Sequence, residues 1–201
     1  AAAVFTTNQV KGAPVLVSRD HVKGGQAQAI LASSGCSNVC TGEQGIRDAR
    51  EMTKIVGEHL RIPAQRVLIA ATGVIGQPMP MDKVRASLPK LVKALSPQGS
   101  RSAAEAIMTT DTMPKEAALR VEIGGRPVTI GGIAKGVAML EPHLATMFCF
   151  LATDAVIAAV RGHGYDPAEF AGDEAEFRER SVALHLGGEA GHFRQRHHRG
   201  P

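Results

Sequence analysis

Apolar positions along this chain follow two different periods, and the switches between them mark out the elements. Residues 15–17 and 27–33 are short β-prone runs bounded by polar or glycine-rich segments such as His21-Val22-Lys23-Gly24-Gly25, and the pattern predicts strands for both. Thr41 with Gln44 three residues on has the form of a capping box. Ile46, Ala49, Met52, Val56 and Leu60 then recur at helical spacing, which predicts an amphipathic helix of about 16 residues closed by Pro63. The continuous apolar run 67–71 has strand length, and Thr72-Gly73-Val74-Ile75-Gly76 is expected to break it.

A second helical stripe is carried by Val84, Leu88, Leu91, Val92 and Leu95, with Pro89 kinking it or starting a new helix. Ser102 with Glu105 repeats the capping-box form ahead of a short helix reaching about Met108. Leu119, Val121 and Ile123 alternate with polar residues, Gly124-Gly125 supplies turn chemistry, and 128–130 returns, so a hairpin is predicted. Strands thus occur singly between helices and as a hairpin, which indicates an α/β (α+β) layer fold with a mixed sheet. Beyond about Val160 the apolar periodicity stops. Residues 161–201 hold five of the eight histidines and six arginines; a solvated helix over 169–180 and a loose last dozen residues are expected.

Composition narrows the functional classes. With 201 residues, 44% hydrophobic and 21% charged, there is material for one ordinary core and no case for disorder throughout. Aromatic residues make up only 3%, with no Trp and a single Tyr165, so base-stacking platforms are not expected. The net charge of +4 is spread among acids except at the C-terminal end, so nucleic acid is not the expected partner. Three cysteines, Cys36, Cys40 and Cys149, form an odd set that suits a reducing compartment, and a cytoplasmic location is expected. The most apolar stretch, 147–160, is interrupted by Asp154 and too short to cross a bilayer, and the sequence starts without a basic leader, so no membrane association is expected.

Most local signals for chemistry are weak. Cys36 and Cys40 have three residues between them, no second pair and only the distant His59, which falls short of a tetrahedral zinc set. His192, His197 and His198 suit a flexible basic tail better than a metal centre. Ser33, Ser34 and Ser181 lack a nucleophile-elbow motif. Gly131-Gly132-Ile133-Ala134-Lys135-Gly136 is glycine-rich with a lysine, yet does not match a phosphate-binding loop. Two threonine segments carry more. Thr72-Gly73 stands where a buried strand ends and backbone N–H groups can point at a developing negative charge, although an ordinary strand-to-loop turn has the same appearance. Thr146 lies between a polar turn and an apolar strand, where threonine is usually only a β-former.

Taken in order, five segments carry a resemblance: Ala3-Val4-Phe5-Thr6-Thr7-Asn8-Gln9-Val10-Lys11-Gly12-Ala13-Pro14-Val15; Gly35-Cys36-Ser37-Asn38-Val39-Cys40-Thr41-Gly42; Ala71-Thr72-Gly73-Val74-Ile75-Gly76; Met108-Thr109-Thr110-Asp111-Thr112; and Gly132 to Met147. Together they resemble the ornithine acetyltransferase family, also called bifunctional glutamate N-acetyltransferase or ArgJ, over residues 1–155. The resemblance implies a DmpA/ArgJ-like layered αββα fold with mixed sheets, incomplete on one side. It also implies a precursor that cuts itself at Ala145–Thr146, giving an α-chain region 1–145 and a β chain beginning at Thr146.

By that resemblance Thr146 is the catalytic nucleophile. A threonine hydroxyl is weak at neutral pH, but scission frees an α-amine, with an ordinary pKa near 8, that can take its proton at short range. Thr146 would then accept an acetyl group from N-acetylornithine and pass it to glutamate. Thr72 and Gly73 match the oxyanion hole, and losing one such donor typically costs about 3 kcal/mol of transition-state stabilisation. Thr109 and Lys135 match substrate-binding positions, with Lys135 suited to the substrate's α-carboxylate. Thr110 is the alternative to Thr109, while a solvated loop lysine and a helix-end cap are the plain readings of Lys135 and Thr109. No metal or organic cofactor is expected, with acetyl-CoA as a further acetyl donor. The partners implied are these small molecules and the two chains of one precursor, assembled as a heterotetramer.

Beyond Ala155 the resemblance fades, and residues 156–201 read as a divergent basic tail. The family's later substrate-binding segments have no match there, so unpaired apolar surface and poor solubility of the separate chain are expected. Two other functions fit part of the pattern: an N-terminal-nucleophile aminopeptidase or amidase using water as acceptor, and a non-catalytic fragment that remains uncut.

Overall fold

A computed structural model describes residues 1–136 and 147–155, and the backbone of 182–186. Two three-stranded sheets form the frame. Helix α1 (Ala13–Val22) precedes β1 (Ala29–Cys36), α2 (Gly42–Leu60) and β2 (Val67–Val74); α3 (Met81–Lys93) and α4 (Ser100–Ala106) follow, then β3 (Lys115–Ile123), β4 (Arg126–Lys135), β5 (Phe148–Thr153) and β6 (Val182–Leu186). One sheet is parallel with order β2-β1-β6, the other antiparallel with order β3-β4-β5. Among the described strands the parallel pairings fall in one sheet and the antiparallel pairings in the other. Strand β6 falls in the segment where sequence periodicity stops; the expected helix over 169–180 and the last dozen residues lie outside the described residues.

The run 15–17, expected as a strand, is the middle of α1. Its β-branched residues suggested extension, but Ala13, Pro14, Val17, Ser18 and Val22 are buried at helical spacing, and proline in the first turn is compatible with a helix start. Helix α1 lies along the edge of β2. Ser18 Oγ donates to the Ile69 carbonyl at 2.6 Å and accepts the Ile69 N–H at 2.7 Å, and His21 Nδ1 meets the Val67 carbonyl at 2.8 Å. These side chains occupy backbone groups that an edge strand otherwise leaves open.

Helix α2 starts where predicted, but its capping box does not form. The Thr41 hydroxyl donates to Asn38 Oδ1 at 2.6 Å, and Gln44 Nε2 donates to Asp48 Oδ1 at 2.7 Å. Gly99, one residue before α4, takes the place expected for Ser102, which lies inside that helix. Pro89 sits within α3, which carries its apolar stripe from Met81, Val84 and Leu88 on to the partly buried Leu91 and Val92 without a second helix starting there. The hairpin is as predicted: Ile123 pairs with Arg126, and Gly124 and Gly125 have φ of 58° and 74°, the sign demanded by a two-residue type I′ loop.

Alternation along β1 divides the core. Ala29 and Leu31 pack with Val17, Met52, Val56, Val67, Ile69 and Leu88 beneath α1, α2 and α3. Ala32 points the other way, into a smaller cluster with Ala104, Ile107 and Ile133. The parallel sheet is thereby sandwiched between three helices and a layer made of α4 and the antiparallel sheet. The outer face of that second sheet leaves Leu119 60%, Ile123 58% and Leu151 68% exposed.

Candidate functional site

Three elements bring their ends together between the two sheets. Strand β2 does not break at residue 72 as expected but continues to Val74, because Ser34, Gly35 and Cys36 of β1 pair with Thr72, Gly73 and Val74. Thr72, in register with the even-numbered residues of β2, faces the antiparallel sheet. From that sheet the last residue of β4, Lys135, reaches across. Its Nζ donates to Thr72 Oγ1 at 3.1 Å and to Thr109 Oγ1 at 2.7 Å, the latter in the loop after α4. Of the two neighbouring threonines, it is Thr109 whose hydroxyl receives the lysine.

Lys135 is only 3% exposed, so the plain reading of a solvated loop lysine is replaced by a buried strand residue. The glycine-rich segment before it is the strand β4, not a loop folded around phosphate. Phe148, the Cα partner of Lys135 on β5, places its ring 5.9 Å from the ammonium, within the range of a cation–π contact. Burial lowers the Lys135 pKa, the Asp111 carboxylate raises it, and Lys115 lowers it. Among the described residues no carboxylate forms an ion pair with Lys135. The amine is thus a buried cation held by hydroxyls, suited to an anionic group that arrives from outside.

Asp111 and Lys115 were not singled out by the sequence. Asp111 Oδ1 accepts Lys115 Nζ at 2.6 Å and the Gly136 N–H at 2.7 Å, while its Oδ2 faces the Thr109 N–H at 3.5 Å. Burial by itself would raise this carboxyl's pKa; the bonds from Lys115, Gly136 and Thr109 outweigh it and bring the pKa down to about 2. An acid inside the short polar run 109–112, four residues before a lysine, is the available signal.

The depressed value has a stability consequence. The unfolded carboxyl titrates near 3.8, so Asp111 stabilises the fold fully above that pH and loses its contribution as pH falls towards about 2. The contribution is about 2 kcal/mol. Urea midpoints of the chain are expected to fall more steeply between pH 4 and pH 2 than those of Asp111→Asn; parallel slopes would contradict this.

The backbone of Gly73, with φ of 128°, lies so close to β1 that a Cβ built there would stand 2.4 Å from the Gly35 carbonyl carbon. The loop after β1 is tied to the same region. Ser37 N–H bonds the Val74 carbonyl at 3.0 Å and Gly76 N–H bonds that of Val39 at 2.9 Å, while buried Asn38, at φ 51°, donates Nδ2 to the Gly45 carbonyl at 2.9 Å. The segment holding Cys36 and Cys40 is therefore a tight turn, and no cluster of three or more metal-ligating side chains occurs among the described residues. Ser34 Oγ donates to the Ala106 carbonyl at 2.9 Å. Ala145, Thr146, Ser181, His192, His197 and His198 lie outside the described residues. The segment carrying the Ala145–Thr146 bond joins β4 to β5, and the residue two positions after Thr146 is Phe148, the partner of Lys135. No helix among the described residues is long and apolar enough to cross a membrane.

Comparison with known proteins gives a consistent result. The model of the ArgJ family matches residues 1–163. The arginine biosynthesis bifunctional protein ArgJ of Symbiobacterium thermophilum is 54% identical over 159 residues, which are 79% of this chain and 40% of that protein. The protein of the same name from Caldanaerobacter subterraneus is 48% identical over 155 residues, 77% of this chain and 38% of its own length. This chain therefore spans about 40% of the length of these relatives. Among solved structures, ornithine acetyltransferase from Mycobacterium tuberculosis in complex with ornithine superposes with a TM-score of 0.67 at 40% identity, covering 72% of this chain and 77% of that one. Bacillus halodurans ArgJ gives 0.65 at 35% identity, covering 74% and 76%.

Proposed function

Because the chain belongs to the ArgJ family, we propose that it supplies the nucleophile and one wall of the substrate pocket of an acetyltransferase that moves acetyl from N-acetylornithine to glutamate. The observation that carries this reading is the buried Lys135 ammonium held between the Thr72 and Thr109 hydroxyls, on the strand paired with the one that begins two residues after Thr146. The Mycobacterium tuberculosis relative binds ornithine, the product of the first half of that reaction.

In this mechanism the chain cuts at Ala145–Thr146, and the new α-amine of Thr146 takes the proton of its own hydroxyl. Thr146 Oγ attacks the acetyl carbonyl, the proton passes to the departing nitrogen, and ornithine leaves an acetyl ester behind. The α-amine of glutamate then attacks the ester and the threonine hydroxyl is restored. Thr72 already accepts an N–H from Lys135, so its single hydroxyl hydrogen is free to donate to the oxyanion together with the Gly73 N–H. The Lys135 ammonium would bind the α-carboxylate. The chemistry needs no metal or organic cofactor in this reading, since nucleophile, base and oxyanion donors are protein groups; acetyl-CoA would load the same hydroxyl as an alternative donor. The two chains of one precursor, assembled as a heterotetramer in the cytoplasm, complete the reading.

The testing experiment is an intact-mass spectrum of the chain after incubation with N-acetylornithine. The expected result is a split after Ala145 and one acetyl group on the fragment that begins with Thr146. An uncut, unmodified chain would sink the proposal, and turnover that proceeds equally without glutamate would favour an amidase. Lys135→Met is expected to weaken N-acetylornithine binding by about ten- to a hundredfold, the worth of a charge-assisted hydrogen bond, as read by the substrate dependence of acetylation.

A further inference from the structure

A single buried carboxylate links the two sides of the Lys135 cluster, and no catalytic step proposed above uses it. The Asp111 side chain is 1% exposed. It binds the N–H of Thr109, whose hydroxyl receives Lys135, and the N–H of Gly136, the residue directly after Lys135. Gly136 has φ of 140°, a conformation that needs glycine, so the bond fixes the chain where it leaves β4 for the segment containing Thr146. The third partner, Lys115 on β3, is half-exposed and supplies the balancing charge.

We propose that Asp111 is a positioning residue for the Lys135 ammonium, tying the backbone of Gly136, which follows Lys135, to that of Thr109, whose hydroxyl receives the ammonium, and supplying a negative charge that Lys115 partly offsets. Its functional meaning rests on the acetyl-transfer reading; the clamp and the charge coupling do not. Among the described residues Lys135 meets Thr72 of β2, Phe148 of β5 and Thr109 of the loop after α4, while Asp111 of that loop and its bonded partner Lys115 of β3 act on it by charge. Asp111 and Lys115 are the charged members of that set, and they act on Lys135 with opposite signs.

Two variants therefore have opposite consequences. Asp111→Asn removes the negative charge while keeping the size of the side chain, and is expected to lower the pH at which Lys135 titrates. Lys115→Met leaves the Asp111 charge unbalanced, and is expected to raise it. The readout is the 13Cε shift titration of the lysine-labelled chain, with the Lys135 signal assigned by its loss in Lys135→Met. The Gly136 amide donates to the carboxylate at 2.7 Å, so its proton is expected downfield in the wild type, further upfield in Asp111→Asn and unmoved in Lys115→Met.

A purely structural Asp111 would leave the Lys135 midpoint where it is in Asp111→Asn. An unchanged or raised midpoint in that variant would overturn the proposal. If Asp111→Asn fails to fold, the Gly136 amide of the wild-type chain decides: an upfield move as pH falls through the Asp111 titration supports the clamp, and an amide that does not follow that titration rejects the proposal. The titration needs no substrate, so failure of the acetyl-transfer reading appears separately, as absence of the acetyl adduct.

Discussion

Thr146→Ala is expected to leave the chain uncut and to abolish the acetyl adduct, a loss of transfer on the order of 10^4- to 10^6-fold, as for the removal of other enzyme nucleophiles. The argument is chemical. In the proposed mechanism the hydroxyl attacks the Ala145–Thr146 peptide and so releases the α-amine, and that amine is the base for the reacting oxygen. One substitution removes nucleophile and base together. Thr146→Ser restores a hydroxyl and is expected to recover part of both cutting and acetylation. Because the amine must be neutral to accept the proton, acetylation by the wild-type chain should rise with pH towards about 8. Intact-mass spectra over time at several pH values report all three effects. Full-length Thr146→Ala that still carries an acetyl group would place the nucleophile elsewhere.

Much of the frame could be read from the sequence because its elements bury one face each. Helix α2, the run from Val67 and the hairpin around Gly124-Gly125 have periods of 3.6 or 2 that survive in isolation. Helix α1 is hidden in the sequence because residues 15–17 look β-prone locally, whereas its state is decided by Val17, Ser18 and Val22 meeting a strand about fifty residues away. Strand β2 was cut short for a related reason. Thr72-Gly73 resembles a turn until β1 is known to run beside it with a glycine of its own. Thr72, Thr109 and Lys135 came from family resemblance, not from spacing: they are separated by dozens of residues, and only the stacking of two sheets brings them within 3.1 Å. No role for Asp111 is legible in the sequence, because a buried carboxylate gains meaning from its donors, and Gly136 lies 25 residues away.

Gly73→Ala is expected to have the largest effect on the fold itself. The Cβ would lie 2.4 Å from the Gly35 carbonyl carbon, 2.5 Å from its oxygen and 2.8 Å from the Cys36 nitrogen, all backbone atoms of the paired strand β1. No rotamer change relieves a clash with backbone, so β1 and β2 must separate at their ends. The φ of 128° adds strain that a side chain would feel even in open space. Strain and overpacking together amount to about 3–6 kcal/mol, a large part of the 5–15 kcal/mol that holds a typical domain. Gly76→Ala separates the two causes: φ is 78° there too, but nothing lies within 4 Å, so only the left-handed penalty of about 1–2 kcal/mol remains. Thermal melts should rank wild type above Gly76→Ala and Gly76→Ala well above Gly73→Ala, with the last about 10 °C or more below wild type or absent from the soluble fraction. Similar melting of the two variants would mean that the close approach of β1 and β2 contributes nothing. The position proposed as an oxyanion donor is then a glycine chiefly because the fold has room for no other residue there.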